Sequence, residues 1–427
     1  MKKTLFWSCT LLGSLLLLAS CKKDEEDDQT WKTIPQEEVS IEGGNAVFTV
    51  NGAQQSRGSV KVVATSSSQA QVTLTGIVPG YDEVNFTASL EKGDNSIYTF
   101  SGTSLLTDGP SIATLKSDMV HFVYRVSIKG EISLDGLVKA SVTTQLSDEC
   151  KGGLEGSWPI KRVAPVVNGA ATAGPVWVNW TFTDSKYEGA TVIGQLAGTM
   201  LGGVLANYLD EVTFTADGNI TAKYWEDPES EGSSDEGDSF DIQKIFEYQP
   251  VLDETNNSYV YGNKHEDKWL ESPVANYAFW FVRDGMLYVV PNLSVLSEDG
   301  DTSLDMGSLS ESLQSLKALG VDVNTLTAEI MKIMENGVAL KYSLDGNALK
   351  VYVDKSQCDP IIKSFIPALT VLDKMLSDLE SSESEDDQQT VQMVKMVLAM
   401  LGLEKPSDFE GLWNATDTFE IELNFTK

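Results

Sequence analysis

Imidazole chemistry has little to work with in this 427-residue sequence. Its two histidines are His121, in "MVHFVYRV", and His265, in "GNKHEDKW". The first reads as a sheet residue and the second as part of a polar loop. No GxSxG, HExxH, P-loop or dinucleotide glycine fingerprint accompanies either, so neither a Ser-His-Asp arrangement nor a histidine metal site is predicted. Carboxylates are abundant, at 63 Asp and Glu. Paired-carboxylate hydrolysis is therefore a third-ranked reading, because that many acids bring some together by chance. The segments "SDEGDSFD" (234–241) and "EDGDTSLD" (298–305) are spaced like calcium loops. They lack the glycine at the sixth position and the glutamate at the twelfth that an EF-hand needs. Weak calcium binding is the one cofactor reading they leave open, beside plain solvated loops.

Aromatic residues are the other candidates. Seven of nine tryptophans follow residue 150, among them Trp158, Trp177, Trp180, Trp225 and Trp280. Trp158, Trp180, Trp225 and Trp280 are the candidate ligand-binding set, as walls of a cavity or platforms for sugars; as core residues they would need no ligand. Trp177 and Trp180 are three apart, so on a regular strand they face opposite sides.

The chemistry most clearly written in the sequence is acylation of a thiol. Lys2 and Lys3 precede an apolar run from Leu5 to Leu18, followed by Ala19, Ser20 and Cys21. This has the layout of a secretory signal peptide over residues 1–20, too short and wrongly flanked for a membrane span. Leu18-Ala19-Ser20-Cys21 matches the bacterial lipobox, in which the cysteine thiol is diacylated and the chain is cut before it. Two or three acyl chains anchor stably where one would not. The next residues, Lys22, Lys23, Asp24, Glu25, Glu26, Asp27 and Asp28, cannot bury themselves and form a solvated tether, extended to residue 40. "CKKDEEDD" resembles the acidic export signal of Bacteroidetes-type surface lipoproteins. The resemblance implies an outer-membrane lipoprotein facing the cell exterior.

Charge excludes one partner class. Removing residues 1–20 takes away two lysines, leaving 29 basic against 63 acidic residues and a net charge of −34. Such a surface repels nucleic acid and keeps a displayed protein soluble. Cys150 and Cys358 are the cysteines left beyond the anchor; one long-range disulfide and two separately buried thiols both fit.

The elements that must position these residues are mostly strands. From residue 41 to 150, "NAVFTV", "SVKVVAT", "QVTLTGIV", "EVNFTASL", "IYTFSG", "HFVYRVSIKGEIS" and "GLVKASVTTQL" alternate apolar and polar residues. They predict an antiparallel β domain with one buried and one wet face. Cys150-Lys151-Gly152-Gly153 marks a domain boundary. Beyond it Asp-Gly pairs predict hairpins at 212–225, 278–290 and 339–353. Helical spacing appears at 308–319, 322–337, 359–380 and 390–401, with "SSESEDDQQ" as a loop, and "TFEIELNFT" is a closing strand. The second domain, 151–427, is thus α+β with helical inserts. Residues 189–209 carry no charge and place Gly194, Gly198 and Gly202 four apart. They predict a helix packed backbone-close onto a sheet, with a membrane-inserted helix as the alternative.

Gly156-Ser157-Trp158 resembles the Gly-x-Trp that opens the first strand of lipocalin-type, or calycin, barrels. "VSIKGEISLDGLVKASV" and the Asp-Gly hairpins extend that resemblance to both domains, as in calycin-like domains of Bacteroidetes lipoproteins. It implies barrels that close over a small apolar or glycan ligand. The functional expectation is a displayed binding protein; the alternative is a structural or protein-interaction surface lipoprotein without catalysis.

Overall fold

A computed structural model describes residues 29–78, 81–94, 96–106, 113–115, 123–167, 170–226, 247–265, 268–272, 278–291, 306–382 and 384–427. The lipidation and export segment 21–28, His121 and both acidic loops lie outside these residues.

The chain is mainly β, with 44% strand and 31% helix, and its sheets curl, one of them into a half-barrel. The first sheet has ten strands: β1 (Glu38–Ser40), β2 (Ala46–Val50), β3 (Ala53–Gln54), β4 (Ser59–Ser66), β5 (Gln69–Thr75), β6 (Tyr81–Lys92), β7 (Ile97–Leu106), β8 (Ala113–Leu115), β9 (Tyr124–Ser133) and β10 (Val138–Leu146). Their order is β1-β4-β5-β6-β7-β9-β10-β2-β3, with β8 beside β6. Curling follows from connectivity. β1 and β2 are seven strand gaps apart in this order, which on a flat sheet would be about 34 Å. The five-residue link 41–45 can cover at most about 20 Å. The two edges must therefore bend toward each other. Bending encloses Phe48, Phe86 and Phe100, which the alternation assigns to the inner face.

Two expectations are corrected here. The sheet is not wholly antiparallel, since β2 runs parallel to β10 in the register Val138↔Ala46 to Val142↔Val50. That direction follows from β2 crossing from one edge to the other instead of hairpinning. Residues 30–40, expected to continue the tether, are folded. A 3₁₀ turn at Thr30–Thr33 sets the Thr30 hydroxyl against the Tyr98 hydroxyl, and β1 pairs with β4.

The remaining strands form three sheets. β11 (Gly156–Pro159), β15 (Leu209–Phe214), β16 (Ile220–Tyr224) and β19 (Leu270–Glu271) make one; β13 (Ala170–Ala171), β12 (Val163–Val167), β18 (Ser258–Val260) and β17 (Val251–Asp253) make another. The largest is β14 (Val176–Phe182), β24 (Thr416–Thr426), β23 (Ala348–Asp354), β22 (Val338–Asp345), β21 (Met286–Pro291) and β20 (Ala278–Arg283), in that order. All three Asp-Gly hairpins form where the sequence placed them. At the tightest, Asp284 and Gly285 both have positive φ, +50° and +75°, as a type I′ turn requires.

The helices are α1 (Glu188–Tyr208), α2 (Met306–Ala318), α3 (Val323–Asn336), α4 (Lys355–Glu380), α5 (Glu385–Met400) and α6 (Phe409–Asn414). α4 starts four residues before the predicted segment because Asp354 caps it, accepting from the Gln357 backbone N–H while the Gln357 side chain returns the bond. α5 starts at Glu385, so most of the predicted loop 381–389 is helical. The Ser384 hydroxyl caps the helix, accepting from the Asp387 backbone N–H, and acids in a first turn are favoured by the helix dipole.

One apolar cluster runs through both halves, from Phe48 and Phe86 to Trp158, Trp280, Phe281 and Phe425. The 150–153 boundary is wedged within it: a Cβ on Gly152 would sit 2.5 Å from Tyr342 Oη and 2.7 Å from Val282 Cγ2. β10 fixes the polarity of the arrangement. At its start, Gly136 packs near Pro35, just before the chain enters the sheet at β1. At its end, Leu146 N–H donates to Ala216 O at 3.0 Å and the Thr144 hydroxyl to Asp217 O at 2.6 Å. Eight steps at about 3.4 Å separate these ends by about 27 Å. Pro35 and the second half therefore meet the first sheet at opposite ends of β10.

Candidate binding surfaces

The four candidate tryptophans are not brought to one cavity. Trp158 is 2% exposed; its indole N–H donates to Leu154 O at 2.7 Å and the Lys427 ammonium lies 3.8 Å from its ring centroid. Trp280 is fully buried, donates to Thr215 O at 3.0 Å and meets Phe214 edge-on at 5.0 Å. Trp180 donates to the Thr416 hydroxyl at 3.0 Å and packs between Phe182 and Phe419. Trp225 lies flat on His265, with centroids 3.6 Å apart, and edge-on to Tyr208. Three of these indole N–H groups are thus spent on the fold, and the rings fill three separate packing regions. Two cavities among the described residues, of about 640 and 250 Å³, include none of the four in their linings. Trp177 and Trp180 do face opposite sides of β14, as spacing predicts: one pairs with Glu422 and the other with Phe419.

His265 belongs to this aromatic group; its Nε2 lies 3.3 Å from the Tyr248 hydroxyl. Among the described residues no group of three or more His, Cys, Asp or Glu is placed to hold a metal. Cys150 and Cys358 are unpaired. Cys150 is buried and its sulfur accepts from Val123 N–H at 3.4 Å, while burial pushes the Cys358 thiol up.

The glycine-spaced segment is a helix packed on a sheet. A Cβ on Gly194 would lie 3.2 Å from Val178 Cγ1, on Gly198 2.9 Å from the Val178 backbone nitrogen, and on Gly202 3.0 Å from Tyr261 Cε1. The three glycines form the face of α1 that meets β14 and its surroundings. α1 is long and apolar enough to cross a membrane by length and composition. Its outward side carries Val192 and Leu196, both exposed.

A carboxylate pair appears that sequence reasoning missed. Glu420 and Glu422 share one face of β24 with Asn424. Glu422 is only 5% exposed, and burial pushes its carboxyl up while Lys350, 3.2 Å away, opposes the shift. Lys350 also reaches Glu420 at 3.6 Å. Burial pulls Lys350 down, but the two carboxylates outweigh it and hold the ammonium above its usual range. The pair is therefore matched by a cation, and neither defined cavity reaches it. That arrangement is a half-buried ion cluster, in which the Lys350 and Glu420 side chains keep 31% and 22% of their surface exposed. The signal in the sequence was the E-I-E-L-N alternation of "EIELN"; what alternation could not say is that the polar side is the covered one.

The larger cavity, about 640 Å³, is an open trough on the outer face of the first sheet. Register assigns ten of its thirteen lining residues to two cross-strand rows on five successive strands, β6, β7, β9, β10 and β2, with Phe100, Gly130 and Ala140 on the row between them. One row is Ser89, Ser101, Lys129, Ser141 and Thr49; the other is Glu91, Thr99, Glu131, Lys139 and Val47. Comparisons with family models, with curated proteins and with solved structures return no match for the chain.

Proposed function

We propose that this is a lipid-anchored, non-catalytic binding protein displayed on the outer membrane, with its first half acting as a rigid spacer. The observation that carries the reading is the polarity of β10. The tether enters beside Gly136, and the second half is held about 27 Å away at Leu146. A sheet with its core filled by Phe48, Phe86 and Phe100 is stiff enough to keep that separation. Lipidation at Cys21 and the acidic run 22–28 supply the anchor and the exterior address in this reading. Both halves are read as calycin-like, supported by the curled first sheet and by the Gly156-x-Trp158 strand start. The interior apolar-ligand version of the proposal loses support, because the tryptophans expected to line a cavity pack against neighbours.

A second reading is a protein-interaction role through the helices of the second half. It is favoured by exposed apolar side chains on α5 (Met393, Met396, Met400) and α1 (Val192, Leu196). Methionine-rich faces adapt to varied partners. The test of the main proposal is fractionation. Wild-type protein should partition into detergent and be shaved by protease on intact cells. Cys21→Ala should become soluble. A Cys21→Ala variant that still partitions with membranes would overturn the lipid anchor and direct attention to α1.

A further inference from the structure

We infer that the trough on the outer face of the first sheet is a binding site for an uncharged, polyhydroxylated chain, a neutral oligosaccharide. The inference rests on the display reading for its setting outside the cell and not for its chemistry.

The floor is built by register alone. On β7, β9 and β10 each lined position is paired on both sides, and pairing lapses only at the trough's ends, outside Glu91 and Val47, so the backbone rows beneath its middle are already paired. A peptide cannot add as a further strand there, and a ligand meets the side chains of the two rows and the intervening Phe100, Gly130 and Ala140. The two rows run parallel. Four inter-strand gaps of about 4.8 Å make each row about 19 Å long. The trough is therefore elongated across the strands and open along its length, as a chain ligand needs.

The side chains select the ligand chemistry. The hydroxyl row carries Ser89, Ser101, Ser141 and Thr49 around Lys129. A hydroxyl both donates and accepts, as a sugar hydroxyl does. Ser89 and Ser101 are 2.9 Å apart and already form one such exchange. The second row sets Glu131 directly opposite Lys139. In an isolated sheet these would pair. Among the described residues neither Lys129 nor Lys139 has a carboxylate within ion-pair distance, nor do Glu91 and Glu131 have a cation. Two cationic donors and two anionic acceptors, all exposed, thus stay available to hydroxyl groups that can satisfy both kinds.

Competing ligands fit less well. An apolar molecule would strip water from four charged groups and return no hydrogen bond. A polyanion meets two lysines cancelled by two glutamates, inside the field of a strongly acidic chain. Neither row carries an aromatic side chain, and Phe100, on the row between them, is only 2% exposed, so affinity comes from hydrogen bonds exchanged with water and is expected to be weak.

The test uses the mature chain made soluble by Cys21→Ala, so it is independent of where the protein resides. Saturation-transfer NMR is recorded with cellohexaose, maltohexaose and mannohexaose, with hexagalacturonate as the anionic control and a strand-forming hexapeptide as the peptide control. At least one neutral hexasaccharide should give a saturable signal, with an apparent Kd on the order of 1 mM. The double variant Lys129→Ala, Lys139→Ala and the blocking variant Ser101→Trp should each weaken it at least tenfold at unchanged melting temperature. No saturable signal from any neutral hexasaccharide overturns the inference. So does binding that both variants leave intact, or a preference for the polyanion or the peptide.

Discussion

A Cβ placed on Gly198 would lie 2.9 Å from the backbone nitrogen of Val178, closer than side-chain carbons approach a neighbouring strand. This contact explains why an uncharged helix with glycine at every fourth position belongs to a folded body: the glycines let α1 touch β14 backbone to backbone. Gly198→Leu should overpack that seam and cost about 1–3 kcal/mol or more. Urea denaturation of the soluble chain measures it. An unchanged midpoint would mean that the helix does not rest on the sheet in solution.

Glu422 gives stability a distinctive pH dependence. Its folded pKa is raised, so the folded state takes up its proton first as pH falls. That component of stability is a penalty above the folded pKa and is relieved as pH drops through it toward the unfolded value. In Glu422→Gln the component is absent. The stability difference between variant and wild type should therefore move in favour of the wild type as pH falls from neutral toward 4.5, the ordinary glutamate value. A difference that stays constant over that interval would show that the buried carboxylate titrates normally.

Asp354 ties three elements together. Its carboxylate caps α4, pairs with Lys341 on β22, and accepts from the Ser356 hydroxyl at 2.6 Å. Burial pushes its pKa up, but these partners together hold it below the usual carboxylate range. The stability it contributes is present above the unfolded pKa and lost as pH falls through the folded one. Asp354→Ala should cost about 1–2 kcal/mol at neutral pH from the cap alone. A loss under a few tenths would mean that the capping box is not formed.

The two remaining thiols should both be free in the purified mature protein. Cys358, half-buried, should react with a thiol reagent in the native state before Cys150, which is 3% exposed. Mobility on a denaturing gel should not change with reductant. A reductant-sensitive shift would show a disulfide and require the two halves to be rearranged.

Much of the strand map was legible because it rests on local rules. β4, β5, β6, β7, β9 and β10 follow alternation, and the Asp-Gly pairs fixed three hairpins. What stayed hidden depends on contacts far apart in sequence. Parallel β2–β10 pairing joins strands about ninety residues apart, and nothing in "AVFTV" announces direction. The trough exists through register across five strands, and no single strand carries a signal for it. The tryptophans misled for a related reason: aromatic residues on half-buried strands look the same whether they face a cavity or a neighbour. The carboxylate pair at Glu420 and Glu422 was visible as alternation, but which side of β24 would be covered depends on Lys350, seventy residues away.

The central claim, that the first sheet holds the second half away from the anchor, is most directly tested by energy transfer to the bilayer. The lipidated protein in a Cys358→Ser background is placed in liposomes with an acceptor on the headgroups. A donor is attached at Asp135→Cys, in the turn beside the chain entry, or at Asp148→Cys, just past the end of β10, where the native side chain is fully exposed. The account predicts strong transfer from position 135 and much weaker transfer from position 148. Equal transfer from both positions would contradict it, because the sheet would then lie along the membrane instead of standing between it and the second half.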